Sequence, residues 1–317
     1  MWTYILFIIG FIFLIKGADL LVDGASSIAK RLGISDIVIG LTIVSLGTSA
    51  PELLVNIVAS FQGNADIGIG NILGSNISNI LLILGIAALI HPLKIRRNTT
   101  WKEVPLNLLA VIVLFIIAND VFFDKAGQSV LSRTDGLVLI GFFFIFLNYT
   151  ISLAKVHREV GEDVKHQPIA KAVIMTILGA AGLAFGGQWV VDGAIAIARQ
   201  FGLSETFIGL TIVAVGTSLP ELATSAMAAF KKRADIAIGN VVGSNLFNIF
   251  WVLGLSAAIK PLPFNPMVNT DIGVCLFATI LLFVFCFTKK KYQLDRLEGG
   301  LFLAAYVAYI VFLIIRG

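Results

Sequence analysis

Apolar runs of roughly 20 residues, each long enough to cross a ~30 Å hydrocarbon core, follow one another along the whole chain. Short polar turns separate them. The pattern predicts helices over 2–29, 37–60, 67–90, 104–119 and 135–155, then over 169–198, 206–230, 236–259, 268–288 and 298–315. The two sets of five are copies. Sliding the sequence by 169 residues lays Gly17–Leu93 on Gly186–Leu262 without a gap, with 40 identities in 77 positions. A repeat of this kind is read before anything else, because it sets the architecture. Five spans is an odd number, so the second copy must enter the membrane from the opposite side. The expectation is an all-α integral membrane protein of ten transmembrane helices, arranged as two inverted five-helix repeats. Residues 1–155 form the first repeat, 156–167 a polar linker, and 168–317 the second repeat, all within one membrane domain.

Charge tests the inversion. The turn 62–64 has no Lys or Arg, whereas its copy is Lys231-Lys232-Arg233. Loops 30–36, 91–103, 155–171, 231–233 and 289–296 together carry 17 Lys and Arg, against 5 on the alternate loops and C-terminus. Basic loops stay on the cytoplasmic side. The protein is therefore expected in the cell membrane with both termini extracytoplasmic. Only 13% of the residues are charged, about half the share of a soluble domain. The formal net charge of +4 sits in loops, which excludes a nucleic-acid surface; the lipid bilayer is the expected partner. The N-terminus lacks a basic n-region and a cleavage-like site, unlike a signal peptide. Cys275 and Cys286 fall eleven apart in one span and read as small core residues. His91, His157 and His166 lie in loops without metal-ligand spacing. The linker is too short for a regulatory domain.

Polar residues inside the spans are few and duplicated. Gly40-Leu-Thr-Ile-Val-Ser-Leu-Gly-Thr-Ser-Ala-Pro-Glu52 recurs as Gly209-Leu-Thr-Ile-Val-Ala-Val-Gly-Thr-Ser-Leu-Pro-Glu221. Pro51 cannot donate to the carbonyl four residues back and its ring displaces the preceding turn. Two half-helices with a break are expected, with Glu52 at the start of the second, where the helix dipole favours a carboxylate. Thr48 shares a face with Glu52; Thr217, Ser218 and Glu221 repeat the arrangement around Pro220. The next spans carry Ser75 and Asn79, and Ser244 and Asn248, again at i,i+4. Gly70/Gly74 and Gly239/Gly243 are small-xxx-small pairs that admit close helix packing. Every candidate ligand is an oxygen, a set suited to Ca²⁺, Na⁺ or Mg²⁺ and unsuited to zinc or copper. No Lys or Arg in these four spans neutralises the glutamates, so bound cations or protons must, and an anion carrier is disfavoured. The bland alternative is a pair of protonated packing glutamates, against which stands the cost of ionisable groups in a bilayer. Asp23 and Asp192 are equivalent, and read either as vestibule residues or as packing partners. Lys16 and Asp19 are three apart and expected to pair.

At these motifs, GTSxPE and GNxxGSNxxN in two copies, the chain resembles the cation/calcium antiporter superfamily, in particular its prokaryotic sodium/calcium exchangers. The resemblance implies four cation sites enclosed by the second, third, seventh and eighth helices. Their ligands would be Thr48, Ser49, Glu52, Ser75 and Asn79 with Thr217, Ser218, Glu221, Ser244 and Asn248, plus carbonyls near Ser45 and Ala214. The glutamates would bind Ca²⁺ and the hydroxyls and carbonyls the flanking Na⁺, with the first and sixth helices sliding past this core. The resemblance implies an antiporter of Na⁺ and Ca²⁺ that needs no cofactor and acts as a monomer. Asn248 stands where potassium-dependent members carry Asp, which leans against potassium coupling. A calcium/proton antiporter using the same glutamates is the alternative. An intramembrane enzyme lacks a nucleophile motif and a metal cluster here, and a passive channel would not need the inverted duplication.

Overall fold

The computed structural model describes residues 2–156, 167–201 and 214–316. Most of the linker, His157, His166 and residues 206–213 of the span expected at 206–230 lie outside these. The described chain is helical: α1 (Trp2–Leu32), α2 (Asp36–Thr48), α3 (Ala50–Gln62), α4 (Ala65–Ile90), α5 (Thr99–Ile117), α6 (Arg133–Val156), α7 (Ile169–Gln200), α8 (Leu219–Phe230), α9 (Ala234–Ile259), α10 (Pro266–Phe285) and α11 (Arg296–Arg316). Among the described residues eight helices are long and apolar enough to cross a membrane, or nine if α2 and α3 count as one broken span. Four two-residue strands complete the fold: β1 (Leu93–Lys94), β2 (Val130–Leu131), β3 (Leu262–Pro263) and β4 (Gln293–Leu294). β1 pairs antiparallel with β4 and β2 with β3.

The core lies where burial is deepest. The most apolar window of α9 is 94% buried and that of α4 78%, against 28–39% for the outer helices. Those outer helices keep bulky side chains such as Phe144, Ile145 and Ile177 on the outside. In water such a surface would be an aggregation hazard; in a bilayer it is the lipid contact.

α1 and α7 cross through glycines at seven-residue spacing. A Cβ on Gly10 would stand 2.8 Å from the carbonyl oxygen of Gly186, one on Gly17 2.9 Å from that of Gly179, and one on Gly24 2.8 Å from that of Ala172. The pairing descends along α7 as it ascends along α1, so these two helices run antiparallel. Without side chains between them the backbones come into direct contact, as small residues permit in membranes.

One expected pair does not form. Asp19 is bonded by Lys231 at 2.6 Å instead of by Lys16, and the same ammonium reaches Asp23 at 2.7 Å. Lys16 is exposed on the outer surface, and one turn of helix does not aim it at Asp19. Asp192 accepts a hydrogen bond from Gln188 at 2.9 Å. Cys275 and Cys286 are free and buried.

Candidate functional site

The polar core is built at two equivalent breaks. α2 and α3 meet at Ser49 with a bend of 48°, and Ser49 has φ −86°, ψ 9°. Ser218, just ahead of α8, has φ −85°, ψ 4°. Pro51 and Pro220 sit in the first turn of the helix that follows, where the missing N–H costs nothing. Glu52 and Glu221 share that first turn, the positive end of the helix dipole. The helix macrodipole thus offsets part of the cost of carboxylates that are 0% and 1% exposed.

Three pairs of hydrogen bonds related by the 169-residue offset cross between the repeats, and Ser49, Ser75 and Ser218 add bonds outside that symmetry. Thr48 Oγ1 donates to Asn240 Oδ1 at 3.0 Å, and Thr217 Oγ1 to Asn71 Oδ1 at 3.2 Å. Ser49 Oγ donates to Glu221 Oε1 at 2.8 Å. Ser75 Oγ donates to Glu52 Oε1 at 3.4 Å and accepts from Ser218 Oγ at 3.3 Å. Asn76 Nδ2 donates to the Asn245 carbonyl at 3.3 Å, and Asn245 Nδ2 to the Asn76 carbonyl at 3.4 Å. Asn79 Nδ2 donates to Asn245 Oδ1 at 2.9 Å, Asn248 Nδ2 to Asn76 Oδ1 at 3.2 Å.

What this network leaves over is informative. With their amide nitrogens committed, Asn79 and Asn248 each present a carbonyl oxygen with no partner, and Glu52 and Glu221 each keep Oε2 unbonded. These are four buried oxygens at two pairs of equivalent positions. A fully buried acceptor, above all an ionic one, is costly to leave unpaired. Ser244 Oγ is likewise unbonded. Two carboxylates and two amide carbonyls form a hard-cation donor set. No cluster of three or more His, Cys, Asp or Glu occurs among the described residues.

Two sequence candidates stand differently. The Ser45 carbonyl accepts from the Ser49 amide at 2.9 Å and from Thr48 Oγ1 at 3.3 Å, within its own helix. Ala214 begins the short turn Ala214–Gly216. The reading of the motifs also passed over Asn71, Asn76, Asn240 and Asn245, which orient the candidate ligands. Their signal was present: each recurs at the 169 offset inside the GNxxGSNxxN motif. A second feature carried no such signal. α4 and α9 open into π-helical turns over Ser78–Ile83 and Phe247–Leu253, which contain the candidate residues Asn79 and Asn248. An extra residue per turn rotates the side chains that follow it.

A cavity of about 480 Å³ reaches this core, with Asn71, Gly74 and Thr217 among its lining and Asp66, Asp271 and Arg316 further out. Asp271 accepts from Tyr309 at 2.9 Å and pairs with Arg316 at 3.1 Å.

The sodium/calcium exchanger protein family matches residues 2–152 and 171–315. The putative antiporter CaxA of Alkalimonas amylolytica is 39% identical over 95% of this chain and 95% of its own length. The sodium/calcium exchanger MaX1 of Methanosarcina acetivorans is 34% identical over 98% of each. At greater distance, the Ca(2+)/H(+) antiporter ChaA of Bacillus subtilis is 26% identical over 82% of this chain and 78% of its own. A solved structure of the sodium-calcium exchanger NCX_Mj superposes with a TM-score of 0.84 at 34% identity, covering 98% of each chain. The apolar helices make this a multi-pass membrane protein, and the duplicated motifs, the fold and the sequence matches agree on its kind: the chain belongs to the sodium/calcium exchanger family.

Proposed function

We propose that the chain is a secondary active antiporter that exchanges Na⁺ for Ca²⁺ across the cell membrane by alternating access. Ca²⁺ is bound by Glu52 and Glu221 with the carbonyl oxygens of Asn79 and Asn248. Thr48, Ser49, Ser75, Thr217, Ser218 and Ser244, with carbonyls near Ser45 and Ala214, serve the flanking Na⁺. The observation that carries this is the set of four unbonded buried oxygens at equivalent positions. Two negative charges there match one Ca²⁺, and Na⁺ competing for the same oxygens couples the two fluxes. Exchange of three Na⁺ for one Ca²⁺ moves one net charge, worth about 2.3 kcal/mol per 100 mV.

The reading takes residues 1–155 and 168–317 as inverted five-helix repeats, ten helices in all, about the linker 156–167. The antiparallel α1 and α7 support it. So do the loop pairings: β1 with β4 joins two loops assigned to the cytoplasm, and β2 with β3 joins two assigned outside. Both termini are then extracytoplasmic. The unit of transport is the monomer, no organic cofactor is required, and the reading contains no enzymatic step.

Proton coupling is the second reading, favoured by the likeness to ChaA and by two titratable groups at the centre. The deciding experiment is Ca²⁺ uptake into Na⁺-loaded proteoliposomes with the pH gradient clamped. Uptake that requires internal Na⁺ and is lost in Glu52→Gln and Glu221→Gln supports Na⁺ coupling. Uptake that ignores Na⁺ and follows an imposed pH gradient assigns the proton, and no Ca²⁺ movement under either gradient refutes both.

A further inference from the structure

Three basic side chains tie down one face of the molecule, and each stands where the other repeat carries an uncharged amide. Lys231 Nζ, as noted, bridges Asp19 and Asp23 on α1. Arg233 Nη1 lies 3.6 Å from Asp36 Oδ2 at the start of α2, and Arg96 Nε 2.7 Å from Asp235 Oδ2 at the start of α9. The positions equivalent to Lys231, Arg233 and Arg96 are Gln62, Asn64 and Asn265. The carboxylates show the complementary pattern. Asp66, the equivalent of Asp235, has no ion-pair partner among the described residues, and Asp192, the equivalent of Asp23, is bonded by Gln188.

Close helix packing accompanies these ion pairs on the basic face. A Cβ on Gly40 of α2 would stand 2.9 Å from the Cα of Gly239 on α9, and one on Gly243 2.8 Å from the Cα of Leu41. The residues that the repeat would set against the equivalent α4 glycines, Gly70 and Gly74, are Gly209 and Leu210, which lie outside the described residues. On the basic face α2 and α9 are thus in backbone contact beside the three ion pairs.

If two inverted repeats were identical, exchanging their conformations would interconvert the two access states at no cost in free energy. A bias between the states must therefore come from positions at which the repeats differ. From this we infer that Lys231 is a positioning residue for exchange: with Arg233 and Arg96 it latches α1, α2 and α9 on the basic face and biases the resting protein toward the state closed on that face. The inference rests on the alternating-access reading above. An ion pair made in one state and broken in the other shifts the equilibrium by its whole net free energy. The Lys231 side chain is 21% exposed and its two aspartates 41% and 45%, so solvent screening keeps that shift modest. Removing the lysine is expected to move the population ratio by about fivefold.

The test measures the apparent KM for Ca²⁺ separately at each face, in proteoliposomes of defined orientation, for wild type and Lys231→Gln. Since apparent affinity scales with the fraction of molecules in the competent state, the variant should bind more tightly from the basic face and more weakly from the other. The ratio of the two KM values should change about fivefold with little change in kcat. A second variant, Gln62→Lys with Gln188→Asp, builds the equivalent latch on the opposite face and should move the ratio the other way. A ratio unchanged in both variants, or moved in the same direction by both, overturns the inference. Deuterium exchange over residues 36–48 and 231–246 of ion-free protein decides the matter even if wild type moves no Ca²⁺. Faster exchange in Lys231→Gln supports the latch, and unchanged exchange refutes it.

Discussion

Replacing Glu52 by Gln should reverse the order of stability between variant and parent when Ca²⁺ is added. The side chain is fully buried; one oxygen accepts a 3.4 Å hydrogen bond from Ser75, and the other has no protein partner. In ion-free protein at a pH where both carboxyls are ionised, the parent carries two uncompensated buried charges. Removing one relieves about 1–3 kcal/mol, the ordinary cost of an unsatisfied buried group. The variant should then melt higher than the parent, by about 2 °C per kcal/mol for a chain this large. Ca²⁺ at a thousand times its dissociation constant stabilises the parent by about 4.1 kcal/mol, or roughly 8 °C. It should leave Glu52→Gln nearly unmoved, because the amide carries no charge to offer the ion. The assay is thermal unfolding in detergent across a Ca²⁺ series. A variant that melts below the parent without ions, or that keeps the full Ca²⁺ shift, would refute the reasoning.

Further outcomes follow from the packing and the amide network. Gly17→Leu puts a side chain where a Cβ already meets backbone at 2.9 Å, and should destabilise by about 1–3 kcal/mol through overpacking. Gly141→Ala, at a helical position with nothing within 4 Å, should be neutral or stabilising by up to about 1 kcal/mol; equal effects of the two on unfolding would contradict the described helix crossing. Asn245→Leu touches no proposed ligand atom but removes the acceptor of Asn79 Nδ2. It should cost about 1–3 kcal/mol and shrink the Ca²⁺-dependent melting shift, since Asn79 loses its fixed orientation; a full shift would show that the network does not orient the site. Tyr149→Phe deprives the buried Glu103 of the hydroxyl bonded to one of its oxygens and should lower stability by about 1–3 kcal/mol, whereas a melting temperature unchanged from the parent would mean that Glu103 finds another donor.

Hydrophobic run lengths and the 169-residue repeat locate the helices to within a few residues, because a bilayer admits few alternatives to a continuous apolar helix. Span 104–119 is an example: the helix runs over Thr99–Ile117, starting earlier because Thr99, Thr100 and Glu103 are buried in protein, which hydropathy alone reads as loop. Proline and glutamate side by side, twice, likewise marked where α2 breaks and which carboxylates lie at the centre. The partners of those carboxylates were not legible. Ser49 bonds Glu221, not its neighbour Glu52, and Asn79 is oriented by Asn245 across the repeat boundary. Such pairings depend on how two distant segments cross, and the crossing is set by glycine contacts and by π-helical turns that leave no mark in hydropathy. Lys231 shows the same division. Its place in a basic loop is legible in the sequence alone, but its choice of Asp19 and Asp23 over solvent was decided by α1 lying within reach, a fact of tertiary packing.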